Sequence, residues 1–285
     1  MVFAQILLNG ILLGGLYGLM ALGMALVWGV LNIVNLAHGA LIMLGGYVVY
    51  YIFIYTGIDP FAAIAIAMVI MFGVGFLLQY GLLNLIVRSA LLNTLLITFG
   101  LDVVITYLAQ FLFTADFRTI NPSYAGANFS AFGLTVPGIR FAAFVVAIAL
   151  AAALWWLLNR RPLGLAIRAT SQNLVAARLY GVDPRTLYAV TFGIGTALAG
   201  AAGGLYGMIA NLTPYIGASL TAKSFVIAII GGLTNPFNVI LGGIVVGIAE
   251  SLATLYLGAT YSDVVSFGLL VLVLVLRPAR TLRAA

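Results

Sequence analysis

The residues of this sequence that could carry chemistry include two acids set inside long apolar runs, Asp102 and Glu250. A carboxylate within a membrane span is costly and often functional, so both could carry protons on a transport pathway. They could instead be hydrogen-bonded groups that hold a helix bundle together. Two isolated acids do not form a proton relay, so we favour the packing interpretation for both.

A second polar group lies at the junction of the first two apolar runs. Asn35 and His38 stand three residues apart, so they share a face if a helix has already begun there. Their polar groups could then line one cavity on a substrate pathway, or cap the start of the helix. On spacing alone, capping is the preferred interpretation.

Signatures of enzyme chemistry are missing from the sequence. It contains no GxxxxGK[ST], HExxH or GxSxG motif, and no pair of carboxylates within one segment. It has no cysteine, and its single histidine cannot form a metal site alone. We therefore expect no catalytic residue, no metal and no cofactor. The energy for any transport must come from an ion gradient or from a partner protein.

The composition places the chain in a membrane. Hydrophobic residues make up 64% of the 285 residues and charged residues 6%, too few to coat a water-soluble protein of this size. The 33 glycines fit close contacts between membrane helices. The sequence thus predicts an all-α, polytopic integral membrane helix bundle. Its net charge of +6 indicates contact with anionic lipid rather than nucleic acid, because the basic residues flank apolar runs.

Apolar runs of about 20 residues, the length needed to cross a bilayer, define the expected spans. Eight are long enough, and a ninth is short, so we expect about eight or nine transmembrane segments. The runs are 3–30, 38–56, 61–87, 91–113, 139–158, 187–210, the short run 222–232, 237–257 and 261–276.

Loop arginines set the orientation of these spans, because cytoplasmic loops are rich in basic residues. Arg88, the five arginines between 160 and 185, and Arg277, Arg280 and Arg283 all follow spans that should end in the cytoplasm. The N-terminus is then outside and the C-terminus cytoplasmic. Because the two ends of the chain lie on opposite sides of the membrane, the number of crossings must be odd. The short run 222–232 must therefore complete a crossing. It could be a short helix or a re-entrant half-helix continuing through 231–236, and a plain Gly/Pro turn at 231–236 is an equal alternative.

The basic segment 160–186 predicts a surface element between two spans. Apolar and polar positions alternate with helical spacing from Leu165 to Tyr180, which indicates one amphipathic helix. Gly181 followed by Pro184 predicts its end, with the glycine as a C-terminal cap. Such a helix could lie on the lipid surface, or its small residues could leave room for another protein.

Three stretches resemble the permease subunits of bacterial ABC importers of the branched-chain amino acid (Liv-type) family. They are 18–23 running into 35–47, the segment 168–181, and 231–243. The similarity covers residues 10 to about 280. The segment 165–183 is similar to the cytoplasmic coupling loop that inserts into the ATPase, and Val175 stands where the broader importer signature has Glu.

The resemblance implies one permease domain, 1–285, that works with cytoplasmic ABC ATPase subunits, a second homologous permease and an extracytoplasmic substrate-binding protein. It implies a location in the bacterial inner membrane and an import cycle of alternating access. The residues expected to contact the ATPase are Arg168, Gln172, Asn173, Ala176, Ala177, Arg178 and Gly181. The pair of permeases could be two copies or two different chains.

The sequence is also compatible with other functions. The family also includes permeases for urea and short amides, and a lining of amides and apolar surface only mildly favours branched-chain or other apolar amino acids. A proton-coupled secondary transporter using Asp102 or Glu250 would need no ATPase. A purely structural scaffold would leave the polar pair Asn35 and His38 unexplained.

Overall fold

The computed structural model describes residues 2–87, 91–131, 133–258 and 261–276. Its helices are α1 (Val2–Leu31), α2 (His38–Thr56), α3 (Pro60–Gly81), α4 (Leu91–Phe113), α5 (Gly138–Arg160), α6 (Pro162–Gln172), α7 (Leu174–Leu179), α8 (Pro184–Ile209), α9 (Gly217–Gly231), α10 (Pro236–Tyr256) and α11 (Ser262–Leu276). Short 3₁₀ turns occupy Leu83–Leu85 and Pro214–Ile216, and a hairpin pairs β1 (Asn128–Ala131) with β2 (Leu134–Pro137).

Eight helices in the described part of the chain are long and apolar enough to cross a membrane, which confirms the all-α polytopic class. They include α9, which begins before the predicted run 222–232 and, with the turn Pro214–Ile216, spans 18 residues. The final run is instead the shorter helix α11. Arg88, Arg277, Arg280 and Arg283, on which the orientation partly rests, lie outside the described residues.

Helices α1 and α8 form the centre of the bundle. In the most apolar 18-residue stretch of each helix, 89% and 83% of the residues are buried. Helix α10 packs along α1 through glycine contacts. A β-carbon on Gly243 would lie 2.6 Å from the α-carbon of Gly18, and one on Gly14 would lie 2.7 Å from the carbonyl oxygen of Gly243. Such close approach gives the van der Waals contact that holds helices together in lipid. Helices α3, α4 and α5 lie outside this centre and are the least buried of the candidate spans, at 28%, 11% and 22%.

Helix α2 begins inside the bundle rather than at its surface. His38 contacts the carbonyl of Met20, which lies about 16 Å along α1 before its end at Leu31. Asn32, with φ of 54°, ends α1, and the chain then runs back between the helices. Helix α9 also begins there, since Gly217 packs against Ala40 in the first turn of α2.

The irregular backbone at membrane depth is therefore in the connections 32–37 and 210–216. The half-helix considered for 231–236 does not form. Helix α9 ends at Gly231, Gly232 turns the chain with φ of 82°, and the Asn235 side chain caps α10 by accepting a hydrogen bond from the amide of Phe237 at 3.0 Å. This stretch is a tight turn beside the end of α1, which agrees with the alternative of a plain Gly/Pro turn.

The long connection between α4 and α5 is held across the opposite end of the bundle. Arg118 pairs with Leu212 through two backbone hydrogen bonds of 3.0 and 2.7 Å. The Tyr124 hydroxyl donates to Asp59 at 2.6 Å, and burial together with that bond raises the pKa of Tyr124. The connection is thus a fixed rim over the ends of α2, α3 and α8.

Candidate functional site

Asn35 and His38 are both buried, at 2% and 1% exposure. The Asn35 side-chain oxygen accepts a hydrogen bond of 3.1 Å from the amide of Ala37, so this residue shapes the turn into α2. His38 Nε2 lies 2.8 Å from the Met20 carbonyl oxygen and ties α2 to α1. The two side chains therefore have separate partners, and a role on a substrate pathway stays a prediction.

Thr221 on α9 also lies at this junction, and no motif in the sequence predicts it. Its hydroxyl accepts a hydrogen bond of 2.7 Å from the amide of Gly39 and donates one of 3.0 Å to the carbonyl of Leu36. Because the first amides of a helix have no partner within it, Thr221 supplies from another helix the cap that α2 needs. The contact spans 182 residues of sequence, so no local pattern could reveal it.

Replacing Thr221 with Val should cost about 1–3 kcal/mol of stability, because a buried amide and a partly buried carbonyl both lose this hydrogen bond. The matched control is Thr191→Val on α8, whose buried hydroxyl donates only to the carbonyl of Leu187 four residues earlier. Unfolding of the two purified variants in detergent measures the difference. Equal stability of both would show that Thr221 is not the cap of α2.

Glu250 belongs to a buried ion pair. Lys223 Nζ on α9 lies 2.9 Å from Glu250 Oε1 on α10, and the two side chains are 14% and 6% exposed. Ser266 on α11 donates to the same carboxylate at 2.5 Å, and the Lys223 ammonium also donates to the Tyr17 hydroxyl on α1 at 3.3 Å. The cluster joins four helices, which agrees with the packing interpretation.

Lys223 was missed in the sequence because it sits inside a run that reads as apolar, 27 residues before its partner. The signal that could have found it is its type, since it is the single lysine of the chain. The fixed cationic partner on a neighbouring helix agrees with a packing role for Glu250.

Asp102 lies half-buried on α4, far less covered than Glu250. Its Oδ1 atom is buried and makes no hydrogen bond within the described part of the chain. On the same face, Thr98 is fully buried and donates to the Thr94 carbonyl at 3.0 Å. Asp102 thus extends a polar stripe on α4, the least buried of the candidate spans, and a pathway role for it stays a prediction.

The basic segment forms two helices, so the expectation of one helix from Leu165 to Tyr180 was wrong. Asn173 separates α6 from α7, and its side-chain oxygen accepts a hydrogen bond of 3.0 Å from the amide of Ala176. An asparagine that caps a new helix stops the previous one, and this outweighs the continuous amphipathic pattern.

The predicted glycine cap is confirmed. Gly181 has φ of 83°, and the amide of Val182 donates to the carbonyl of Ala177 at 3.1 Å. Asp183 then caps α8, and hydrogen bonds from the hydroxyl and amide of Thr186 hold the pKa of Asp183 below its usual value. The segment is thus joined rigidly to the central helix α8.

Two concave surfaces flank α6. An apolar groove of about 490 Å³ opens on one side, and a polar cavity of about 550 Å³ lies on the other, against the bundle. The groove is lined by Pro162, Leu165, Ala166, Ala169, Gln172, Asn173, Ala176, Ala177, Tyr180 and Val182. Of the residues predicted to contact an ATPase, Gln172, Asn173, Ala176 and Ala177 line the groove, whereas Arg168 lines the cavity and Arg178 and Gly181 line neither.

Comparisons with known proteins agree with this arrangement. Residues 6–274 match the family described as branched-chain amino acid transport system, permease component. The chain is 31% identical to the high-affinity branched-chain amino acid transport system permease protein LivH of Escherichia coli, over 97% of this chain and 94% of the relative. It is 30% identical to BraD of Pseudomonas aeruginosa, with the same coverage, and 28% identical to E. coli LivM, over 92% of this chain and 67% of the relative.

No solved structure matches the chain. The sequence match nevertheless covers nearly the whole bundle, including the α6–α7 segment and both connections that enter its interior. The chain belongs to the family of permease components of branched-chain amino acid transport systems.

Proposed function

We propose that the chain is one permease subunit of an ATP-driven importer in the bacterial inner membrane, which moves branched-chain or other apolar amino acids inward by alternating access. The family supports the amino acid class over urea or short amides. The observation that carries the ATP-driven mechanism is the apolar groove between α6 and α7, on the segment that holds most of the described arginines.

This groove has the character of a protein contact. Its rim is strongly apolar, with Leu165 63% exposed and Tyr180 90% exposed. Clustered apolar exposure of this kind marks an interaction surface. The cytoplasmic ABC ATPase is the partner proposed for it, because the segment's arginines indicate the cytoplasmic side. The N-terminus then lies outside and the C-terminus in the cytoplasm.

Motion of the ATPase would pass to the bundle through α7 and α8. The caps at Gly181 and Asp183 fix the angle between the two helices, and α8 packs against α1, α2 and α3. The ATPase can drive the cycle only if it binds the outward and inward states with different affinity. The α6–α7 segment is the lever proposed to differ between them.

Two further partners complete the proposed importer. A second permease would cover the exposed outer helices, and the match to both LivH and LivM of one organism favours two different chains over two copies. An extracytoplasmic binding protein would dock on the rim formed by the connection between α4 and α5. Asp102 on α4 would then face the boundary between the permeases.

Reconstitution in liposomes tests the proposal. The purified chain is combined with its candidate second permease, ATPases and binding protein, and uptake of labelled leucine is compared with that of labelled urea. We expect leucine uptake that needs ATP and every component. Uptake by the chain alone under a proton gradient would overturn the importer and support proton carriage by Asp102. Uptake of urea but not leucine would overturn the substrate class.

Filling the groove should uncouple the importer. In Ala176→Trp the new ring would occupy the groove, so we expect ATP-dependent uptake to fall at least about tenfold, a loss of roughly 1.4 kcal/mol in coupling. The matched control is Val175→Trp, one residue earlier, since Val175 is 69% exposed and does not line the groove. Both variants should purify as folded chains, and equal uptake by the two would refute the docking site. Gly181 is a poorer probe, because its positive φ would strain any side chain.

A further inference from the structure

The cavity beneath α6 lies on the side of this helix opposite the groove, between four parts of the molecule. Its volume is about 550 Å³, within the range of about 300–1,000 Å³ typical of small-molecule sites. Its walls come from the end of α1, the end of α5, the inner face of α6 and the turn between α9 and α10. The lining residues are Leu26, Gly29, Val30, Asn32, Leu158, Asn159, Ile167, Arg168, Ser171, Gln172, Leu233 and Thr234.

Among the residues that the structure describes, the lining has one charge, that of the exposed Arg168, and no acid. The Arg168 guanidinium donates to the Asn159 side-chain oxygen at 3.1 Å. A guanidinium has five N–H donors, so this bond leaves several for a ligand. Arginine in an otherwise uncharged site suits a carboxylate, which it binds through two parallel hydrogen bonds.

The remaining lining adds an apolar wall and neutral polar groups. Leu26, Val30 and Leu233 supply the apolar surface, and the side-chain amide of Asn32 supplies hydrogen-bond donors, whereas the Ser171 hydroxyl already donates to the carbonyl of Arg168 at 2.9 Å. Asn32 holds a left-handed backbone, φ of 54°, that an asparagine adopts at a small cost, and such residues cluster at functional sites. A small anion with a branched aliphatic tail matches all of these features.

We propose that this cavity binds a small aliphatic carboxylate from the cytoplasm, and that the bound ligand holds α6 against the bundle. The identity of the carboxylate, an imported amino acid or its deaminated relative, rests on the proposed function; the site itself rests on its lining. Gln172 lines both the cavity and the groove, so a ligand here touches the same helix as the ATPase. Accumulated product would then slow the transport cycle.

Protection of a single engineered thiol tests the site. Because the chain has no cysteine, Ser171→Cys creates a unique thiol within the cavity. The purified full chain in lipid nanodiscs is labelled with a charged thiol reagent, with and without 3-methylbutanoate. A ligand at ten times its Kd leaves about one site in eleven empty, so labelling should slow about tenfold. Ala169→Cys on the groove side of α6 should label at the same rate with or without it.

Charge variants identify the contact. In the Ser171→Cys chain, adding Arg168→Gln should abolish protection, whereas Arg160→Gln, which removes an exposed arginine outside the cavity, should preserve it. The neutral analogue 3-methylbutanol should protect much less than the acid. Absence of protection by 3-methylbutanoate, or equal protection in both arginine variants, would overturn the site. The assay needs neither ATPase nor uptake, so its failure is distinct from a failure of the proposed function.

Discussion

Replacing Glu250 with Gln should destabilise the protein by about 3–5 kcal/mol, since Lys223 would remain buried without its counter-charge. The expected loss is large because both charges are nearly inaccessible to water and the carboxylate also accepts the Ser266 hydroxyl. Denaturant unfolding in detergent, followed by tryptophan fluorescence, gives the free-energy difference.

Two further variants show whether the effect comes from loss of the counter-charge. Asp116→Asn breaks a surface ion pair to Arg118 of 3.9 Å, with the acid 76% exposed, and should cost about 0–1 kcal/mol. Adding Lys223→Met to Glu250→Gln also removes the buried ammonium and should recover part of the stability. A double variant as unstable as the sum of its two single changes would show that the pair has no coupling.

Replacing Gly243 with Val should disrupt the bundle at its most extensive helix contact, between α1 and α10. The β-carbon would meet the backbone of Gly18 and Gly14, which cannot move aside as a flexible side chain can. Overpacking of a rigid contact costs about 1–3 kcal/mol and more when backbone must shift, so we expect the upper end or beyond. Yield of monodisperse protein and its unfolding midpoint measure the loss.

The matched control is Gly73→Val on α3, where an added β-carbon meets nothing within 4 Å. It makes the same substitution in a membrane helix and should be close to neutral. If both valine variants lose stability equally, the cost lies in the helix backbone rather than in the α1–α10 contact.

Much of the fold followed from composition and periodicity, because span length and helix ends depend on local chemistry. The Gly181 turn is an example, since a glycine after an amphipathic run followed by proline predicts a helix end. The depth of α2 could not be predicted this way. Hydropathy places a run in the membrane but does not show that His38 meets Met20 halfway along another helix.

The same distinction between local chemistry and contacts of distant residues applies to the candidate sites. Asn35 was interpreted as a cap of α2, but its side chain instead accepts from the amide of Ala37, just before the helix, and the Gly39 amide within the helix donates to Thr221. Glu250 was assigned to packing on general grounds, but its partner Lys223 is known only once α9 and α10 pack together. Likewise, the cavity and the groove on the two sides of α6 depend on how this helix packs against the bundle, which its sequence pattern does not show.

The hydrogen bond between Gly39 and Thr221 also bears on the order in which the protein is made. Thr221 leaves the ribosome 182 residues after Gly39, so the first turn of α2 is without its cap while most of the chain is synthesised. The first turn of α2 can therefore be completed only after α9 has entered the bilayer.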